Sequence, residues 1–421
     1  MILINNTAKI MVGIAIAFLL FTVSSASAAT ITVNASGGSA DYMSIQAAIN
    51  NASTGDVIEV QSGTYLENVV VNKTLSLKGI GMPLVNASGS GTAITITSGG
   101  STIDGFNVTG SGTDWNGGDA DSGIKIKSDN NNVLNSTAGF NNYGVYVFES
   151  MDNTIENNSV YNNTEGIYLL YSHNNSLIGN NLSSNTNRGA YISNSDNISV
   201  LNNFAQNNNY GINWYFSGNS TIFNNSATSN NYGMYLSSSG NSNLANNTAY
   251  GNTKIGIYSD SSDNIFTNNT AYSNSYGLYT TGSSSTLTNN IAYSNMYGFY
   301  TTGSSNTLTN NTAYSNSYGF YTTGSSNTLT NNTAYNNTNR GFTIHAGSTL
   351  IENNAFNNGY GFWIESDYNI LTNNTASDNA NYGFYIYVGN YNKLTKNTIS
   401  SNNAGISLSG DSNILIHNTI T

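Results

Sequence analysis

One glycine recurs along most of the chain. Gly123, Gly144, Gly166, Gly189, Gly211, Gly233, Gly256, Gly277, Gly298, Gly319, Gly341, Gly361, Gly383 and Gly405 follow one another at spacings of 20 to 23 residues. From Ser273 to Tyr335 the repeat is almost literal: three copies close to SNSYGFYTTGSSNTLTNNTAY. A unit this short cannot bury an apolar face alone, so the units must stack on one another.

Within each unit apolar residues alternate with period two, the signature of strands. One residue after the glycine stand Ile124, Val145, Ile167, Ile212, Ile257, Phe299, Phe320, Phe342 and Phe384. Three after it stand Ile126, Val147, Leu169, Ile192, Leu236, Ile344, Ile364 and Ile386. A second short strand carries Ile155, Ile178, Val200, Ile222, Leu244, Leu287, Leu308, Leu329 and Leu371, two residues before an Asn-Asn pair. A third carries Ala227, Ala249, Ala271, Ala292, Ala313 and Ala334. Three inward-facing strands per unit predict an all-β fold, a right-handed parallel β-helix of about 14 coils or more. At ~4.8 Å per coil the regular part is roughly 65 Å long.

Asn suits the corners, because it tolerates left-handed backbone and its amide can form ladders along the rod. The single Pro fits too, since Pro removes a ladder donor. Ile45, Ala48, Ile49 and Ala52 have helical spacing, which predicts a short N-terminal capping helix over the first coil's open edge. No capping helix is expected at the C-terminal end, so a partner covers that edge or the chain belongs to a longer one. Lys9, the apolar run Met11–Val23 and Ala26-Ser27-Ala28 read as a secretory signal peptide. The expected organisation is therefore 1–28 signal peptide, 29–109 cap and irregular coils, and 110–421 regular repeats. No later segment is apolar enough to predict a membrane span.

Composition narrows the function classes. A net charge of −11 on 421 residues gives no electrostatic footprint for nucleic acid. The absence of Cys removes disulfides, thiol nucleophiles and thiolate metal sites. About twenty N-x-Ser/Thr sequons, Asn34, Asn72, Asn246 and Asn310 among them, are glycan acceptors in an exported protein.

The stretch Tyr42-Met43-Ser44-Ile45-Gln46-Ala47-Ala48-Ile49, with Gly55-Asp56-Val57-Ile58-Glu59-Val60 and Gly63-Thr64-Tyr65, resembles the entry to pectin-lyase-like right-handed β-helix proteins. The later units resemble the NosD-type repeat, and similar Asn-rich repeat proteins occur on the surfaces of methanogenic archaea. The resemblance implies a fold shared by polysaccharide lyases, hydrolases, adhesins and copper-accessory proteins, so function rests on sites.

The first candidate site is a row of rings two residues after the glycine: Tyr146, Tyr168, Tyr191, Tyr235, Tyr258, Tyr279, Tyr300, Tyr321, Trp363 and Tyr385. Their parity is opposite to the core, so they are expected to face solvent. Such a row either binds a sugar or protein partner or stacks on itself to stabilise the sheet. A second row, Tyr143, Tyr210, Tyr232, Tyr276, Tyr297, Tyr318, Tyr360 and Tyr382, precedes the glycine. Strict parity sends it inward; a bend would turn it out. The insertion from Gly110 to Ser122 holds Asp114, Asn116, Asp119 and Asp121, which could supply oxygen ligands to calcium, and Trp115. Lys125 and Lys127 are the bases near it. His345 and Glu365 sit one coil apart at matching positions, as do His173 and Asp196, and a His–carboxylate pair can do acid–base work. Arg188 and Arg340, the only arginines, are seven coils apart, about 34 Å. Met43, Met82, Met151, Met234 and Met296, with His173, His345 and His417, are too dispersed for a soft copper site.

The resulting expectation is an exported cell-surface β-helix with a structural or adhesive role, binding polysaccharide, cell-surface glycan or other surface proteins along its tyrosines. It requires no cofactor. The alternatives are a carbohydrate-active lyase or hydrolase using Asp119, Asp121 and Lys125 or the His345–Glu365 pair, and a NosD-like copper-accessory protein.

Overall fold

The computed structural model describes residues 28–345 and 347–421. But for its last residue, the signal peptide expected over 1–28 lies outside them. The described residues wind into one parallel β solenoid with a short helix near its N-terminal end. A representative coil consists of Tyr276–Thr280, Thr286–Thr288 and Ile291–Tyr293. Each strand pairs in parallel with its counterpart one coil on, so three sheets run the length of the rod. The long-strand sheet, from Val69–Val71 to Ala404–Leu408, has 16 strands. We call the other two the leucine sheet and the alanine sheet, after their inward residues in this coil.

Register turns recurrence in sequence into rows in space. Leu278, Phe299, Phe320 and Phe342 are successive pairing partners. The phenylalanine rings from 299 to 384 lie nearly parallel, 4.6 to 4.8 Å apart, and fully buried. The leucine and alanine rows close the other two sides of this interior, which is one continuous core.

Position 178 departs from the expected register. Leu177 faces the core and Ile178 lies half-buried outside, because Gly179 (φ 63°) takes the left-handed corner and Asn180 the inward position after it. In most coils an Asn-Asn pair spans both positions. Asn289 turns the corner at φ 56°, while Asn290 is buried. The Asn290 amide donates to Phe266 O and Asn311 Oδ1, each at 2.9 Å. Its Oδ1 accepts from the backbone and side-chain N–H groups of Asn269, at 2.9 and 3.0 Å. This arrangement propagates from Asn158 to Asn418 and satisfies backbone groups that the corner takes out of the sheets. A second asparagine ladder, which sequence reading missed, follows the alanine sheet from Asn141 to Asn402.

The expected cap is the helix Ile45–Asn51, with Ile45, Ala48 and Ile49 buried. Ser44 accepts from Ala47 N–H, and the Glu67 carboxylate accepts from the N–H groups of Ile45 and Gln46. Lys73 donates to the carbonyls of Ile49, Asn50 and Ala52 at the other end. Both ends of a seven-residue helix are thus satisfied by charges from the coils below, as its orphan groups and dipole require. In the last coil, the inward residues Leu415 and Ile420 are exposed. Among the described residues no helix is long and apolar enough to cross a membrane.

Candidate functional site on the aromatic face

Both tyrosine rows lie on the outer face of the long-strand sheet. The bend that puts the second row there is at the repeat glycine. Gly277 points inward, where a Cβ would stand 2.6 Å from Gly298 O and 2.9 Å from Asn295 Nδ2. Two successive inward residues, Gly277 and Leu278, break the alternation, so Tyr276 turns out beside Tyr279. The pairings Tyr279–Tyr300–Tyr321 and Tyr276–Tyr297–Tyr318 are in register.

The rings of the second row stack face to face: Tyr276 on Tyr297 at 5.0 Å and 8°, Tyr297 on Tyr318 at 4.9 Å and 13°. Across the rows, Tyr297 meets Tyr300 edge-on at 5.1 Å. A third row, Tyr250, Tyr272, Tyr293, Tyr314 and Tyr335, runs along the alanine sheet at 4.7 to 5.0 Å and 3 to 8°. Its signal in the sequence is the recurrent Ala-Tyr dipeptide, in which an inward Ala is followed by an outward ring. Stacking directs the ring faces along the rod and leaves the edges half-buried. Desolvation pushes the phenols of Tyr279, Tyr300 and Tyr321 up, and that of Tyr168 to about 12. A phenol hydroxyl can both donate and accept hydrogen bonds, so the strip offers both along the rod.

Tyr146 is a correction. Expected in solvent, it is 1% exposed, because the 110–122 insertion folds back over it. Its hydroxyl donates to Gly117 O at 3.0 Å, and Trp115 packs edge-on against Tyr143 at 5.1 Å. The acidic residues of that insertion serve the loop itself. Asp121 Oδ2 accepts from Asp114 N–H, Asp114 Oδ1 from Asn116 N–H, and Asp119 lies 3.8 Å from Lys127. Lys125 is buried beneath, and desolvation lowers its pKa despite nearby Asp121. No group of three or more His, Asp or Glu side chains suited to a metal converges among the described residues.

Three interruptions of the second row are charged: Glu165, Arg188 and Arg340. Both arginines occur in the segment Asn-Thr-Asn-Arg-Gly, at 185–189 and 337–341, in a position otherwise mostly Tyr. Arg188 lies over the Tyr191 ring at 3.9 Å and pairs with buried Glu165 at 2.7 Å. Burial raises the Glu165 pKa although Arg188 and Asn187 oppose it. Arg340 lies over Trp363 at 3.7 Å and reaches Glu365 at 3.2 Å. Glu365 also accepts from Trp363 Nε1 and lies 2.9 Å from His345 Nε2, too far off line for a good hydrogen bond. Thus the expected His345–Glu365 neighbours meet, and Arg340 and Trp363 join them. Four of the six buried, unpartnered side-chain atoms among the described residues belong to these patches: Glu165 Oε2, Arg340 Nε, Thr343 Oγ1 and His345 Nε2. The other pair is different: His173 Nδ1 accepts from Asp196 N–H at 3.0 Å and lies 3.9 Å from the Asp196 carboxylate.

Residues 49–256 match the family model for periplasmic copper-binding protein (NosD), and residues 276–421 match that for a right handed beta helix region. A cell surface glycoprotein of Methanothermus fervidus is 42% identical over 72 residues, 16% of this chain and 12% of that protein. The chain therefore spans only a small part of that relative. Among solved structures, tailspike protein 3 of bacteriophage CBA120 aligns with 92% of this chain and 61% of its own, at 11% identity and TM-score 0.45. The mannuronan C-5 epimerase AlgE4 A-module of Azotobacter vinelandii aligns over 88% and 94%, at 16% identity and TM-score 0.36. Repeat period, parallel register and both family models agree: this chain is a right-handed parallel β-helix protein with NosD-type repeats.

Proposed function

We propose that the chain is a rod of the cell surface whose long-strand face binds an extended glycan along the rod axis. The observation that carries this is the double tyrosine row from Tyr276 to Tyr321, in register, with phenol edges outward. Hydroxyl groups recur there every coil, ~4.8 Å apart. A polysaccharide lying lengthwise meets the same environment at each step and exchanges hydrogen bonds with neutral donors and acceptors. The surface location is supported by the name of the Methanothermus fervidus relative. Binding is tested by affinity electrophoresis against a panel of polysaccharides, comparing the wild type with the triple variant Tyr279→Ser, Tyr300→Ser, Tyr321→Ser. Retardation by one glycan class, lost in the variant, is expected. No retardation, or retardation unchanged by the variant, overturns the proposal.

A second reading, a carbohydrate-active enzyme, is favoured by the convergence of Arg340, His345, Trp363 and Glu365. Its discriminating result is new reducing ends or unsaturated sugars from a retained polysaccharide, abolished by Glu365→Gln.

A further inference from the structure

The corner between the leucine and alanine sheets is a row of fourteen left-handed residues from Asn135 to His417, at φ 47 to 63°. Eight of them begin an N-x-Ser/Thr sequon: Asn135, Asn157, Asn224, Asn246, Asn268, Asn310, Asn331 and Asn373. We infer that this edge is an array of N-glycan acceptors, taking oligosaccharide from a lipid-linked oligosaccharyl diphosphate.

The geometry of each sequon is the same. In Asn246-Asn247-Thr248 the first residue is exposed at the corner, the second is buried in the ladder, and Thr248 opens the next strand facing out. Acceptor amide and hydroxyl are both accessible. The ladder asparagines are excluded by the same alternation, since the residue two places on faces the core; Asn247 is followed by Ala249. The fold does not demand this coincidence. Asn202 and Asn289 turn the same corner with Phe204 and Ile291 two places on, and Gly179, Glu352 and Lys396 turn it without Asn. The corner tolerates other residues, yet eight positions combine Asn with a hydroxyl.

The eight are not equivalent. Asn135 donates to Asp104, Asn157 to Glu156, Asn224 to Asn202 and Asn331 to Asn310. The amide groups of Asn246, Asn268, Asn310 and Asn373 donate to no group among the described residues, so they lead the order of modification. In the transfer, Nδ2 forms a bond to the anomeric carbon as the bond from that carbon to the phosphate oxygen breaks. The lipid diphosphate leaves with the electron pair, and one amide proton passes to a base of the transferase. The corner lies away from the long-strand sheet, so glycans there leave the double tyrosine row uncovered.

In the cell this inference rests on the surface location. Its test does not: the full chain is routed through a eukaryotic secretory pathway by an added export signal and mapped by glycopeptide mass spectrometry. Glycans are expected on this row, with occupancy highest at Asn246, Asn268, Asn310 and Asn373. Thr248→Val, Thr270→Val, Thr312→Val and Thr375→Val, which keep the corner asparagine and a β-branched strand residue, should each lower the intact mass by one glycan. Secreted protein that is unmodified, or modified only away from the row, at Asn72, Asn107 or Asn181, overturns it.

Discussion

Neighbouring asparagines in one Asn-Asn pair should differ sharply in what they contribute. Asn290→Ala removes four hydrogen bonds from a fully buried site. Two partners keep an alternative: Asn269 Nδ2 still donates to Leu244 O, and Asn311 Oδ1 still accepts from the backbone of residue 290. The Asn269 N–H is left orphaned, whereas the Phe266 carbonyl keeps its place in the parallel ladder with the next coil. At about 1–3 kcal/mol for a buried unsatisfied group, the expected loss is about 1–3 kcal/mol, to which the other surrendered side-chain bonds add. Asn289→Gly, one residue earlier, replaces an exposed left-handed residue by the one that adopts φ 56° freely, so its effect should stay within about 0.5 kcal/mol. A solenoid need not unfold in one step, so a single melting midpoint is insufficient. Urea unfolding followed by circular dichroism should be paired with hydrogen exchange. The Asn290→Ala rod should lose protection first around residues 266–311 while both ends remain protected. Equal midpoints for the two variants, or protection lost evenly along the rod, would refute the reasoning.

Two further outcomes follow from the core and from the charged patch. Phe320→Ala removes a buried ring stacked at 4.7 and 4.8 Å between Phe299 and Phe342 and should cost about 3–5 kcal/mol in urea unfolding; a loss under about 1 kcal/mol would mean the coil collapses around the gap. Burial lowers the His345 pKa below 6.5, against the pull of Glu365 and with the push of Arg340. Below pH 6.5 the unfolded chain then binds more protons than the folded one, so His345 contributes stability above that pH that is lost as pH falls. The melting temperature of the wild type relative to His345→Gln should therefore fall from about pH 7 to pH 5, and a relative rise would show that the contact with Glu365 dominates.

Repetition made much of this protein readable from its residues alone. A period near 22 with three apolar alternations per unit determines stacked coils, because no single unit buries its own face. It also identifies the inward Ile, Leu, Phe and Ala rows and the first tyrosine row. What the tertiary structure decided lies where alternation stops being a reliable guide to direction. Consecutive inward residues at Gly277 and Leu278 turn Tyr276 outward, and Gly179 at a corner shifts the core position from Ile178 to Leu177. The 110–122 insertion covers Tyr146 because a loop's path depends on what it lands on, here a patch of rings. Arg340 joins His345 and Glu365 for a related reason: long side chains reach across coils, and strand periodicity describes where a side chain starts and not where its charged end comes to rest.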